Sequence, residues 1–180
     1  MIESGKLTIR DARADERDAI RELTFASYGE YATRMTPTAW AALEQALVGA
    51  LASEGPAERI VAEREGRLVG SVMLYPRSAD AYDGALAEAH WPEVRLLAVA
   101  PDARGAGVGA ALLGECVRRA WLAGARELGL HTSQSMQAAV RMYQRFGFVR
   151  VPEHDFQPEG GELVTAYRLQ LEDPELPEQV

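Results

Sequence analysis

The chain is short of cysteine, lysine and positive charge, and each shortage closes off a class of protein. Cys116 is its one cysteine, so neither an internal disulfide nor a cysteine-built metal cluster is available. Lys6 is the one lysine; arginine supplies the rest of the 19 basic residues, against 27 acidic ones, for a net charge of −8. That balance lacks the basic surface with which sequence-independent nucleic-acid binders neutralise phosphates, and it lacks a polybasic membrane patch. No apolar run approaches the roughly 18 residues that span a membrane. Residues 1–6 lack the apolar core of a secretory signal. The expectation is a cytoplasmic protein in a reducing setting, without nucleic-acid or membrane partners.

What is present is ordinary for a globular protein. Hydrophobic residues make up 47% and charged residues 26% of 180 positions, a length that buries roughly 70% of the unfolded surface without a staple. Residues 1–171 are expected to form one domain. Residues 172–180 carry acids and prolines but no base, which reads as an acidic, disordered tail.

Leu7-Thr8-Ile9-Arg10 alternates like a short strand, and Asp15 is placed to cap the helix that follows. Thr36-Pro37 starts a second helix, with Trp40, Leu43, Leu47 and Leu51 on one face and Gly55-Pro56 as its stop. Residues 59–64 and 68–75 flank Glu65-Gly66 as a hairpin. Residues 77–91, with Asp80, Asp83 and Gly84, read as a mobile loop. Glu93–Val99 ends in four apolar residues, as a central strand does. A helix to Ala123, a strand over 127–131, a helix over 135–146 and strands over 148–151 and 163–171 complete the pattern. Helices alternating with strands imply βαβ units, while the hairpin implies antiparallel pairing. The expected fold is α/β: a mixed sheet of about six or seven strands flanked by about four helices.

The most informative stretch is Val99-Ala100-Pro101-Asp102-Ala103-Arg104-Gly105-Ala106-Gly107-Val108-Gly109-Ala110, between a buried strand and a helix. The first N–H groups of a helix have no partner within it, and the helix dipole adds about half a positive charge there. Glycines let an anion come close to that backbone. The expected role is a phosphate cradle, with Arg104 adding a charged fork. A P-loop is excluded because the turn has no lysine. Gly105, Gly107 and Ala110 fit a dinucleotide fingerprint in name, but the next strand ends at His131-Thr132 and not at an acid.

Val99, Pro101, Arg104, Gly105, Gly107 and Gly109 match without a gap the pattern Val-x-Pro-x-x-Arg/Gln-Gly-x-Gly-x-Gly/Ala, the acetyl-coenzyme A motif of the GNAT acyltransferase superfamily. Downstream, Ala139-Val140-Arg141-Met142-Tyr143-Gln144-Arg145-Phe146-Gly147-Phe148 resembles that superfamily's Ala-x-x-x-Tyr-x-x-x-Gly-Phe segment, and the two motifs have its order and separation. The resemblance covers about residues 59–171. It implies that the amides of Arg104, Gly105, Ala106, Gly107, Val108, Gly109 and Ala110 hold the pyrophosphate of acetyl-coenzyme A. It also implies that Leu97, Ala98 and Val99 pair with the pantetheine arm, as an added strand would. An amide near Ala98 or Val99 would polarise the thioester carbonyl. Tyr143 would protonate the departing sulfur, its phenol staying protonated at neutral pH. Glu93 stands where several members place a general base; the alternative for a strand-end glutamate after Trp91-Pro92 is plain solvation. Many members have an asparagine where Met136 stands, leaving Gln134, Ser135 or Gln137 as substitutes.

His131 fits either a base or an ordinary strand-end residue, with the second preferred. His90 and His154 form no metal-ligand spacing, so no metal is expected. Cys116 shares the apolar side of its helix with Leu112 and Leu113 and reads as a core thiol. Arg118 and Arg119 read as solvated or ion-paired. Tyr28, Tyr31 and Trp40 lie on helices that wall the acceptor site in the superfamily, and residues 156–161 would close over the acceptor. The expected activity is acetyl transfer from acetyl-coenzyme A to a primary amine, on a small molecule or a peptide, by direct attack in a ternary complex. The alternatives are a non-catalytic acyl-coenzyme A sensor and, on the fingerprint, a nicotinamide-dinucleotide module. The resemblance fits a monomer or a homodimer equally.

Overall fold

A computed structural model describes residues 5–82, 86 and 88–171. The elements in chain order are β1 (Leu7–Asp11), α1 (Arg17–Tyr28), α2 (Pro37–Ala52), β2 (Glu58–Arg64), β3 (Arg67–Tyr75), β4 (Glu93–Val99), α3 (Val108–Leu122), β5 (Glu127–Ser133), α4 (Gln137–Arg145), β6 (Val149–Arg150) and β7 (Val164–Gln170). The strands make one seven-stranded sheet in the order β1-β2-β3-β4-β5-β7-β6. Every pair in it is antiparallel except β4 with β5, so the expected mixed α/β sheet is the one that forms.

The two faces of the sheet are sorted by the period of β3. Val72 and Leu74 face a core built with Leu112, Leu113 and Cys116 of α3. Met73 and Tyr75 face a second core with Leu23 and Tyr28 of α1 and Leu47 of α2. Thr36 accepts a hydrogen bond from the Ala39 amide at 3.2 Å, capping α2 as its sequence predicts. Asp15 does not cap α1. A 3-10 turn over Ala14–Glu16 intervenes, and it is the Glu16 carboxylate that accepts from the Arg13 amide at 2.7 Å. An acid three residues on can serve that open N–H as well as a residue at the cap itself.

Elsewhere the boundaries shift by a residue or two. α4 starts at Gln137, not Ser135, because the Ser135 hydroxyl is drawn off to Glu162. The loop after β3 is not loose at its described ends: the Ser78 amide donates to Trp91 O at 2.8 Å and that of Ala79 to Ala89 O at 3.1 Å. Asp83, Gly84 and the acidic tail at 172–180 lie outside the described residues. Arg118 and Arg119 pair with Glu115, and Arg119 also with Asp11 and Glu58. Cys116 is fully buried, which pushes its thiol up to about 12 and makes it an inert part of the core. Among the described residues no helix is long and apolar enough to cross a membrane.

Candidate active site

Two features of β4 create the site. The first is that β4 and β5 pair only at Glu93–Gly129 and Val94–Leu130, then separate. From Leu96 onward one edge of β4 is open, and the strand leads directly into the glycine-rich turn. The second is a bulge. Ser71 of β3 faces Ala98 and Met73 faces Arg95, so Val72 alone spans Leu96 and Leu97. Leu96 takes a left-handed φ of 54°, which costs a side-chain-bearing residue about 1–2 kcal/mol. The extra residue reverses the alternation of the strand: Arg95 and Leu96, neighbours in sequence, line the same cavity.

The turn leaves a stretch of backbone open. Gly105 and Gly107 have φ of 75° and 78°, and side chains added there would meet nothing within 4 Å, so the backbone is open to solvent. Gly107 caps α3, and the helical ladder begins with the Ala111 amide donating to Gly107 O at 2.9 Å. Among the described residues, no amide from Arg104 to Gly107 donates to a backbone carbonyl. The unpaired N–H groups of the first helical turn continue that row through Val108, Gly109 and Ala110. Gly109 serves packing instead: a Cβ there would lie 3.3 Å from Met142 Sδ and 3.5 Å from Val99 Cγ2, so its absence lets α3 close on both α4 and β4.

The Arg104 side chain is partnered by the end of α1 and the turn that follows it. Its guanidinium pairs with Glu30 at 2.5 Å and donates to Ser27 O at 2.9 Å, tying the turn to α1. The Val99 amide donates to the Ser27 hydroxyl at 3.3 Å. Ala98 faces Ser71 within the β3–β4 ladder. Tyr143 lies on α4, buried, with its ring 6.1 Å from that of Phe148. Burial holds its phenol well above the usual value, and the nearby Tyr28 and Tyr31 add to this.

Glu93 is fully buried, not solvated. Its carboxylate accepts from Ser78 Oγ at 2.8 Å and from the Tyr82 hydroxyl at 3.1 Å, and it meets His131 Nδ1 at 2.5 Å. His131 Nε2 lies 3.0 Å from His154 O. Both ring nitrogens thus face acceptors, which makes His131 a partner of Glu93 and not the plain strand-end residue its position suggests. Gly129 makes this possible, because a Cβ there would sit 2.6 Å from Glu93 Oε2 and 2.3 Å from Trp91 Nε1. Glu93 is absent from the cavity lining and meets the cavity only through Tyr82 and His131.

The cavity encloses about 150 Å³ between α1, α2, the open edges of β4 and β5, and the loop before β7. That is about ten times the space one water needs. Tyr28, Leu43, Leu47 and Met136 form much of its apolar wall. Of the aromatics expected there, Tyr28 lines it, whereas Tyr31 and Trp40 pack against the core beside it. Phe156, Pro158 and Gly161 also line it. Met136 takes the asparagine's place as an apolar wall residue. Ser135 is bound to Glu162, and Gln137 donates to Gln134 O at 2.5 Å. Nothing contiguous in the sequence marks Arg95, Tyr82 or Glu162 as parts of one site. The one sequence signal that goes with them is a lone glycine inside a strand, Gly129, the mark of a close approach.

The sheet thus parts beside a glycine-rich turn of open backbone, with a mostly apolar cavity next to the parting. The chain belongs to the GNAT family of acetyltransferases, whose pattern matches residues 17–148. A mycothiol acetyltransferase from Cellulomonas flavigena is 39% identical over 97 residues, covering 53% of this chain and 27% of that protein; the chain thus matches about a quarter of that relative's length. A GNAT family acetyltransferase from Brucella melitensis, solved in complex with acetyl-CoA, superposes with a TM-score of 0.57 at 22% identity, covering 98% of this chain and 94% of the other. The ribosomal-protein-S18-alanine N-acetyltransferase from Escherichia coli superposes with a TM-score of 0.64 at 15% identity, covering 95% and 99%. At these identities the structures share the fold.

Proposed function

We propose that the protein acetylates a primary amine, using acetyl-coenzyme A in a ternary complex without a covalent enzyme intermediate. The observation that carries this reading is the row of unpaired amides from Arg104 to Gly107, set at the mouth of the opening between β4 and β5. The residues fit the cosubstrate: the glycine backbone is open to a pyrophosphate, and the edge of β4 that β5 leaves uncovered along Leu97, Ala98 and Val99 offers strand-like pairing to an amide-bearing arm once the Val99 amide exchanges Ser27 for it. Bound there, acetyl-coenzyme A supplies the activated thioester. Family membership supports the same cosubstrate.

In this reading Tyr143 hands its proton to the sulfur as the thiol leaves. Desolvation keeps the phenol protonated, and the same desolvation raises the proton affinity of a thiolate beside it. Glu93 acts on the acceptor side through Tyr82 and His131, which reach the cavity as it does not. Arg104 holds the turn in place through Glu30 and Ser27. A covalent route through Cys116 is disfavoured by its burial in the core. The buried thiol also suits a reducing, cytoplasmic setting.

Thermal shift with acetyl-coenzyme A, coenzyme A and NAD, followed by free-thiol release across an amine panel, tests the proposal. The expected outcome is stabilisation by both coenzyme A forms and amine-dependent thiol release. Stabilisation by NAD alone overturns it. Acetyl-coenzyme A binding with no turnover on any amine favours a sensor.

A further inference from the structure

The cavity wall is mostly apolar; beside the polar groups of Tyr82, His131, Thr132 and Ser133 it carries an arginine and a glutamate, side chains of opposite sign. Arg95 enters from β4 and Glu162 from the loop before β7. They are not paired with each other. Among the described residues neither has an ionic partner, whereas Arg10, Arg104, Arg119 and Arg150 each have one. Both are nevertheless held in place. Arg95 donates from one terminal nitrogen to Ala81 O at 2.5 Å and lies 4.6 Å over the Tyr82 ring. Most of its five N–H donors are left for other use. Glu162 accepts from the Ser133 and Ser135 hydroxyls, which fix its carboxylate at the end of β5. Thr132, also in the wall, has a buried hydroxyl with no partner among the described residues.

A charge in apolar surroundings costs several kcal/mol unless something pairs with it. A plain amine would answer Glu162 and leave Arg95 desolvated beside a second cation. A dicarboxylate would do the reverse. A compact zwitterion satisfies both: carboxylate on Arg95, ammonium at Glu162, and an apolar side chain against Tyr28, Leu43 and Leu47. The placement suits the chemistry as well, because Ser133 and Glu162 stand where β4 and β5 have separated. We propose that the acceptor is a free α-amino acid with an apolar side chain, held by Arg95 and Glu162. This rests on the acetyltransferase reading and narrows its acceptor.

The test compares leucine, methionine and phenylalanine with their decarboxylated amines in the thiol-release assay. Thermal shift with acetyl-coenzyme A runs alongside on every variant. For the wild type, kcat/KM for each amino acid should exceed that of its amine by about 30-fold or more, the worth of charge-assisted hydrogen bonds to a carboxylate. Arg95→Gln should bring that ratio to within about threefold of unity. Arg95→Lys, which keeps the charge but loses the fork, should give an intermediate ratio, and it serves alone if the glutamine variant no longer responds to acetyl-coenzyme A. Equal use of amines and amino acids, turnover of neither, or a ratio that survives both Arg95 variants overturns the proposal while leaving the cosubstrate reading intact. Failure of acetyl-coenzyme A to stabilise the wild type would instead sink the acetyltransferase reading itself.

Discussion

After β4 the chain forms its proposed phosphate cradle out of seven consecutive residues, Arg104 to Ala110. A few residues earlier on the same strand, Arg95 and Leu96 face a cavity whose other walls come from α1, α2, β5 and the loop before β7. The first site is made of backbone. Its donors are amides that any residue carries, and the sequence only has to keep side chains out of the way and start a helix. The second site is made of side chains that converge from distant positions, so its chemistry depends on packing. Backbone sites tolerate change at all but a few glycines; side-chain sites fail one group at a time.

The largest expected effect tests whether the chemistry sits between the two. Tyr143→Phe should lower kcat by about 100-fold or more, the ordinary worth of a positioned proton donor. The dissociation constant for acetyl-coenzyme A, measured by calorimetry, should stay within about twofold. An unchanged rate would remove the tyrosine from the reaction and leave the cavity side to supply the proton.

Next comes the cavity itself. Glu93→Ala removes the acceptor shared by Ser78, Tyr82 and His131, and breaking such a buried pair costs about 3 kcal/mol. The melting temperature should fall by roughly 6–12 °C, while acetyl-coenzyme A still stabilises whatever remains folded. A loss below about 1 °C would mean that Glu93 is not tied to its neighbours as described.

These two regions also differ in how far they could be read from the residues alone. The glycine pattern, the capping Thr36, the hairpin at Glu65-Gly66 and the alternation of strands and helices are local signals, and each appears in the fold with shifts of a residue or two. The bulge at Leu96 was not legible. A run of four apolar residues looks the same whether or not its alternation slips by one, yet the slip is what brings Arg95 into the cavity. The position of Glu93 marks it as a candidate, but its burial and its bond to His131 are not legible, because the partner lies 38 residues away and meets it only once the strands pair. Arg104 shows a partner that no local signal marks. Its place in the motif points to the phosphates, while its side chain also meets Glu30 and Ser27, which lie more than 70 positions earlier in the chain.

A smaller effect is expected at the cradle. Gly107→Ala forces a Cβ onto a φ of 78° without any clash, so the cost is conformational, about 1–2 kcal/mol. The dissociation constant for acetyl-coenzyme A should rise about tenfold, with kcat at saturation little changed. Equal losses in affinity and kcat would show that the turn also shapes the reacting end, and the contrast between backbone site and side-chain site would weaken.

The smallest effect belongs to neither site, and it separates scaffold charge from functional charge. At the β1 edge, Arg10 bonds Glu16 at 2.6 Å and also pairs with Glu63. The hydrogen bond from Arg10 is the main reason that the Glu16 carboxyl falls from 4.5 to about 2. A folded-state value depressed in this way adds stability that is complete above the unfolded value. That stability drains away as the pH drops from about 4.5 towards about 2. For a pair near the surface it amounts to about 1 kcal/mol or less. Urea midpoints taken at pH 7, 4 and 3 should therefore fall less steeply for Glu16→Gln than for the wild type, with the two curves converging in acid. Turnover at neutral pH should be the same for both, because β1 lies three strands from the opening beside β4. If Glu16→Gln altered kcat/KM, charge at the sheet edge would be coupled to the cavity, and Arg95 and Glu162 could no longer be treated as the charges that matter there.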